Sequence, residues 1–123
     1  MKIVNVNDVE AKEVQNSPLF LGGKVYTQFV LEEEPKAEKI GISMVKFEPG
    51  ARNKLHTHST GQILIVTEGK GIVATKDQQH IVTTGMVIYV SPGEEHWHGA
   101  TRESSFAHLS IIGQPQELKI VER

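Results

Sequence analysis

The sequence predicts an all-β fold, a sandwich or barrel of short antiparallel strands. Two observations carry this. Runs rich in Val, Ile, Thr, Phe and Tyr recur along most of the chain, and such residues suit a pleated, half-buried surface. Turn-forming residues separate them at close spacing: Gly22-Gly23, Pro35, Pro49-Gly50, Gly69 to Gly71, Gly85, Pro92-Gly93 and Gly113 to Pro115. Strands interrupted this often are the pattern of a sandwich or barrel. The length, 123 residues, corresponds to one domain. A chain of this size can bury roughly two thirds of the surface it exposes when unfolded, so it needs no covalent staple.

Taken in order, a short helix is expected near Asn7 to Val14, where Asn7 or Asp8 would supply the cap. Strands are expected over 24–32, 39–47, 62–69, 70–76, 79–84, 86–90, 104–112 and 117–121, with a charged surface loop "EEEPKAEK" at 32–39. Strand parity makes further claims. Leu64 and Val66 share a face with Gln62, leaving Ile63 and Ile65 on the other. Phe106, His108, Ser110 and Ile112 share one face of the last long strand, as do Ser43, Val45 and Phe47 of the strand at 39–47.

Composition narrows the function. There is no cysteine, which excludes disulfides and thiolate metal sites and fits a reducing, cytoplasmic setting. The net charge of −2 with mixed signs leaves no basic footprint for nucleic acid. No apolar run approaches the ~20 residues of a membrane span, and "MKIVNVNDVEAKEV" carries charge too early for a secretory leader.

The chemistry-bearing residues are histidines: His56, His58, His80, His96, His98 and His108. In an extended chain residues two apart point the same way, so His56 and His58 project together, as do His96 and His98. Gln62 can fold back beside the first pair across Ser59-Thr60-Gly61. Imidazole nitrogen and amide oxygen are both ligands for a divalent metal. One such pair on a surface strand would mean little; a second, just after a Pro-Gly turn, points to a shared site. His80 lies in a polar hairpin region and reads as exposed. His108 interrupts an apolar strand and can be read as a core histidine with a hydrogen-bond partner or as part of the site. Trp97 falls on the opposite face and reads as a packing residue.

This spacing resembles the cupin family. Gly50, His56-Thr57-His58, Gln62 and Gly69 match its first motif, with Gln62 where glutamate is commoner. Gly85, Pro92-Gly93 and His96 match the second, which departs at Ser91 and Ala100, where proline and asparagine are usual. The resemblance implies a single-domain double-stranded β-helix barrel, jelly-roll-like, over 1–123, with its core at about 39–112. "FEPGARNKLHTHSTGQILIVTEGKG" and "SPGEEHWHGATRESSFAHLSI" look like small cupins related to carboxymuconolactone-decarboxylase-associated proteins, some of which are manganese-dependent hydroxynitrile lyases. What this implies, residue by residue, is a metal held by His56, His58, Gln62 and His96, with His108 acting near it as general base. His98 is a second proton-transfer group and a reserve ligand.

Three neutral imidazoles and a neutral amide leave the cation's charge uncompensated, which makes it a strong Lewis acid. Manganese is the first candidate; iron, nickel, cobalt, copper and zinc also suit the set. The expected partner is a small-molecule substrate in a mostly apolar pocket. Lyase chemistry is one reading, metal-dependent oxygenation another, and a sensor that binds a small ligand without turnover a third; fold alone does not choose. This chain departs from the group, which usually has small or apolar residues just ahead of the histidines, in having Asn53-Lys54-Leu55 there, and strict parity back from His56 would put Lys54 at the pocket mouth. A homodimer is expected, since Ile63, Ile65 and "KVYTQFVLE" offer more apolar surface than one short barrel needs.

Overall fold

A computed structural model describes residues 2–31 and 39–122. Along the chain the strands are β1 (Lys12–Glu13), β2 (Phe20–Leu21), β3 (Val25–Leu31), β4 (Ile40–Phe47), β5 (Arg52–Asn53) and β6 (His56–His58), followed by β7 (Gln62–Ala74), β8 (Gln79–Thr83), β9 (Val87–Val90), β10 (Trp97–Ala100), β11 (Phe106–Gly113) and β12 (Leu118–Ile120). Pairing is antiparallel throughout the described residues, as the turn-rich sequence requires.

The long strand β7 organises the molecule. Its first half pairs with β11 and β9, and its second half with β10 and β8. The sequence reading divided this strand in two at Gly69; the chain bends there without ending the strand. Gly69 has φ +76°, and a Cβ would lie 1.9 Å from the Ser105 carbonyl oxygen, so only glycine fits the bend. Two residues on, a Cβ at Gly71 would meet the Phe106 ring at 2.5 Å. From β7 the sheet runs outward through β11 and β4 to β3 and β1 on one side, and through β10 and β5 to β2 on the other. A separate pair, β6 with β12, carries the first histidine motif.

The core lies between these two wings. Phe47 and Phe106 are fully buried and stack at 5.9 Å, with Val25, Val66, Val73, Val82 and Ala100 around them. On β7 parity holds, with Gln62, Leu64 and Val66 buried and Ile63 exposed. On β11 Phe106, His108 and Ser110 are buried, but Ile112 is only half-buried and Ala107 of the other face is buried too; on β4 Phe47 is buried while Ser43 and Val45 are half-buried.

The expected helix at 7–14 does not form. A single 3-10 turn, Val6–Asp8, replaces it, capped by the Asn5 side chain, which accepts from the Asn7 N–H at 2.9 Å. Gln28 Nε2 donates to the carbonyls of Val6 and Val9, at 3.0 and 2.9 Å, and Lys12 and Glu13 pair with Thr27 and Tyr26 of β3. Strand and side-chain partners thus satisfy backbone groups that a helix of so few residues would satisfy poorly. The expected charged loop lies almost wholly at 32–38, outside the described residues. No helix among those residues is long and apolar enough to cross a membrane.

Candidate metal centre

His56, His58 and His96 converge. Their nearest ring nitrogens lie within 4.8 Å of one another, and all three side chains are buried. Backbone pairing brings the motifs together: His56 and His96 exchange both N–H···O bonds, at 2.9 and 3.1 Å, in an isolated antiparallel bridge.

Each imidazole is anchored through Nδ1. His56 Nδ1 donates to the Lys54 carbonyl at 2.6 Å, His96 Nδ1 to the Glu94 carbonyl at 2.9 Å, and His58 Nδ1 to Gln116 Oε1 at 2.9 Å. With the hydrogen on Nδ1, Nε2 carries a bare lone pair, the arrangement that orients metal-ligating histidines. The Nε2 atoms of His56 and His58 are 3.2 Å apart, and His96 Nε2 is buried with no hydrogen-bond partner among the described residues. Two lone pairs facing each other at that distance repel unless a cation lies between them. Two nitrogens each ~2.1 Å from one ion would be ~3.0–3.4 Å apart, so the observed spacing fits a shared metal.

Burial keeps these rings neutral. It lowers the His56 pKa to about 3, against the opposing pull of the Lys54 carbonyl, with smaller contributions from His96 and His58 in the same downward direction. His58 and His96 are lowered for the same leading reason, opposed respectively by Gln116 and by the Glu94 carbonyl. A neutral imidazole is the ligand form, so protons compete weakly for the site near neutrality.

Gln62 lines the same cavity as His56 and His58. Its Nε2 donates to Ser110 Oγ at 2.8 Å, and its Oε1 is buried with no partner among the described residues. An unsatisfied buried acceptor costs about 1–3 kcal/mol, and a cation would satisfy it.

Beyond the three histidines lies a second group. His98 is within ring contact of His56 and His96, at 6.0 and 5.8 Å between centroids, and its Nδ1 is 3.0 Å from His108 Nε2. His108 is fully buried against Phe47 and Phe106. The structure therefore places His98 between the three converging histidines and His108. Burial lowers His108 to about 4, opposed by the Leu109 backbone, and holds His98 well below its ordinary value with the help of His108 and the three other rings.

One inward residue was not anticipated. Strict parity pointed to Lys54, but the chain breaks step between β5 and β6, and Asn53 faces the cavity instead. Its Oδ1 accepts from the His98 backbone N–H at 2.8 Å, and its Nδ2 is 3.1 Å from His98 Nε2. Gln116, the partner of His58, was also missed; nothing in its local sequence marks it. His80 is exposed, as expected. Trp97 points away from the site and stacks under the Arg52 guanidinium at 4.4 Å. The cavity holds about 100 Å³ and is walled by Leu19, Phe20 and Val45 opposite the polar groups.

Residues 43–112, which hold both histidine motifs, match the Cupin_2 family, described as a cupin domain. The chain belongs to the cupin family. This cupin is 42% identical over 82 residues to an (R)-mandelonitrile lyase from Granulicella tundricola, covering 66% of this chain and 63% of that protein. It is 28% identical over 95 residues to the HTH-type transcriptional activator RhaR from Mannheimia succiniciproducens, covering 77% of this chain but 32% of the activator. The matched region thus spans less than two thirds of either curated relative. Among solved structures, a cupin-like protein from Thermotoga maritima superimposes with a TM-score of 0.82 at 32% identity, covering 94% of this chain and 88% of that one.

Proposed function

We propose that this cupin is a metal-dependent lyase acting on a small cyanohydrin-type substrate, with a divalent transition metal held by His56, His58, Gln62 and His96. Manganese is the first candidate. The observation that carries this reading is the set of three Nδ1-anchored imidazoles whose Nε2 atoms turn to one place. Beside them stands a neutral His98–His108 pair, which a purely structural metal site would not need. The similarity to a mandelonitrile lyase supports the same reaction class. The lack of cysteine supports a cytoplasmic setting.

When bound, the metal would supply Lewis acidity that makes a substrate hydroxyl easier to deprotonate. The protein's own groups would do the rest. His98 Nε2 accepts the hydroxyl proton as the Asn53 N–H gives way, and His98 Nδ1 passes its own to His108 Nε2, which acts as the terminal base. The substrate C–O bond becomes C=O as the bond to the nitrile carbon breaks, and the electron pair leaves on cyanide. Cyanide then takes up the proton held by the pair. The sum is cyanohydrin to aldehyde and hydrogen cyanide, with no change of oxidation state. Leu19, Phe20 and Val45 provide an apolar wall for the rest of the substrate.

The test is cleavage of mandelonitrile by protein reconstituted separately with manganese, iron and zinc, with oxygen uptake followed in parallel. Benzaldehyde release that depends on metal is expected. Oxygen consumption without cyanide release would replace the lyase with an oxygenase. Tight ligand binding without turnover would favour the sensor reading that the activator's similarity raises.

We also propose a homodimer. Ile63 and Ile65 of β7 lie opposite Tyr89 and Val87 of β9 on one side and Ile111 and Leu109 of β11 on the other. This outer face is apolar, and Tyr89 and Val87 are each 63% exposed. A broad apolar sheet face of this kind marks an interface. At micromolar concentration the protein should sediment as a dimer and Val87→Lys as a monomer; a monomeric parent would overturn the assignment.

A further inference from the structure

We infer that Asn53 is a positioning residue that sets which nitrogen of His98 carries the hydrogen, and through His98 the polarity of the whole pair with His108. The first step is the orientation of the Asn53 amide. The His98 backbone N–H can only donate, so the atom 2.8 Å from it must be the carboxamide oxygen. The other end of the same amide is then NH₂, and it can only donate to His98 Nε2, 3.1 Å away. His98 Nε2 is therefore an acceptor without a hydrogen.

The second step follows from neutrality. A neutral imidazole carries one N–H, and with Nε2 bare that hydrogen is on Nδ1. It points to His108 Nε2 at 3.0 Å, so His108 Nε2 is an acceptor and His108 carries its own hydrogen on Nδ1. One amide on β5 thus dictates the hydrogen positions of two imidazoles on β10 and β11. Asn53 is buried, with 3% of its surface exposed.

The consequence rests on the lyase reading only in its catalytic part. Asn53 donates to the His98 Nε2 lone pair and so keeps that nitrogen free of hydrogen, with the Nδ1 N–H aimed at His108; a proton that displaces the amide N–H at Nε2 is then handed inward. A carboxylate at position 53 would keep the bond to the His98 backbone but replace the donor with an acceptor, and so place a hydrogen on Nε2.

The experiment uses zinc-loaded, diamagnetic protein with ¹⁵N-labelled histidine. Long-range ¹⁵N–¹H correlation spectra report which ring nitrogen of each histidine is protonated. In the parent protein His98 should show a bare Nε2 and a protonated Nδ1; in Asn53→Asp, Nε2 should carry a hydrogen. A parent His98 protonated on Nε2 overturns the inference, as does an Asn53→Asp protein with Nε2 still bare. The parent spectrum decides the assignment even where the variant does not fold. In the mandelonitrile assay Asn53→Asp should keep its metal and lose about 10²-fold or more in kcat, since a wrongly placed hydrogen on a catalytic imidazole can cost up to about 10⁴. If the parent protein does not cleave mandelonitrile at all, the lyase reading falls, while the spectra still decide the role of Asn53.

Discussion

Replacing His96 with alanine should leave a folded protein that no longer retains metal. The fold should survive because what joins the two motifs is backbone: the paired bonds between His56 and His96 do not involve the imidazole. The metal should go because His96 Nε2 is a buried lone pair with no other partner among the described residues, turned toward the other two histidines. Loss of an outer partner of a metal ligand typically costs 10–100-fold in affinity, so loss of the ligand itself should cost ~100-fold or more. Metal content after gel filtration should fall from about one ion per chain to near zero. The thermal shift seen on adding metal to the parent, worth ~2.7 kcal/mol at a hundredfold excess over Kd, should vanish. A His96→Ala protein with full metal content would remove this histidine from the site.

His108 should behave in the opposite way, keeping metal and losing turnover. It makes no ring contact with the three converging histidines, but it lines their cavity and is hydrogen-bonded to His98. General-base groups contribute about 10²–10⁴ in rate, and a drop of that order in kcat is expected for His108→Ala. Because the ring is fully buried between Phe47 and Phe106, alanine also leaves a hole that lowers stability. His108→Gln fills much of the same volume and separates the two effects: it should fold, bind metal and remain slow. If kcat/KM of the glutamine variant equals that of the parent, His108 is a packing residue.

Much of this was legible in the sequence because period-two alternation is a strong constraint. Gln62, Leu64 and Val66 go inward and Ile63 outward for no reason beyond parity, and the same logic placed His56 with His58 and turned Trp97 away. What was not legible depends on where alternation stops. Between Asn53 and His56 the chain passes from one sheet to a separate strand pair, so counting back by twos selects Lys54 when Asn53 is the inward residue. The N-terminal segment failed for a different reason. "VNDVEAKEV" carries a cap and some helical spacing, but the preference is weak in so short a stretch, and partners distant in sequence, Gln28 and the edge of β3, outweigh it. Gln116 could not be found locally at all, because its contact with His58 joins residues 58 positions apart.

That last contact belongs to a larger arrangement. The strand that bears His56 and His58 is held by β12 along its whole length and by the single bridge from His56 to His96. Gln116 holds the His58 ring, and Glu122 accepts from the Leu55 N–H at 2.8 Å while pairing with Arg52. During synthesis, a chain that has emerged as far as β11 has every candidate ligand in hand but lacks the strap that seats two of them. The ribosome therefore delivers the cage before its latch. A nascent chain that stops short of residue 122 offers passing cations an open hand of histidines instead of a finished pocket.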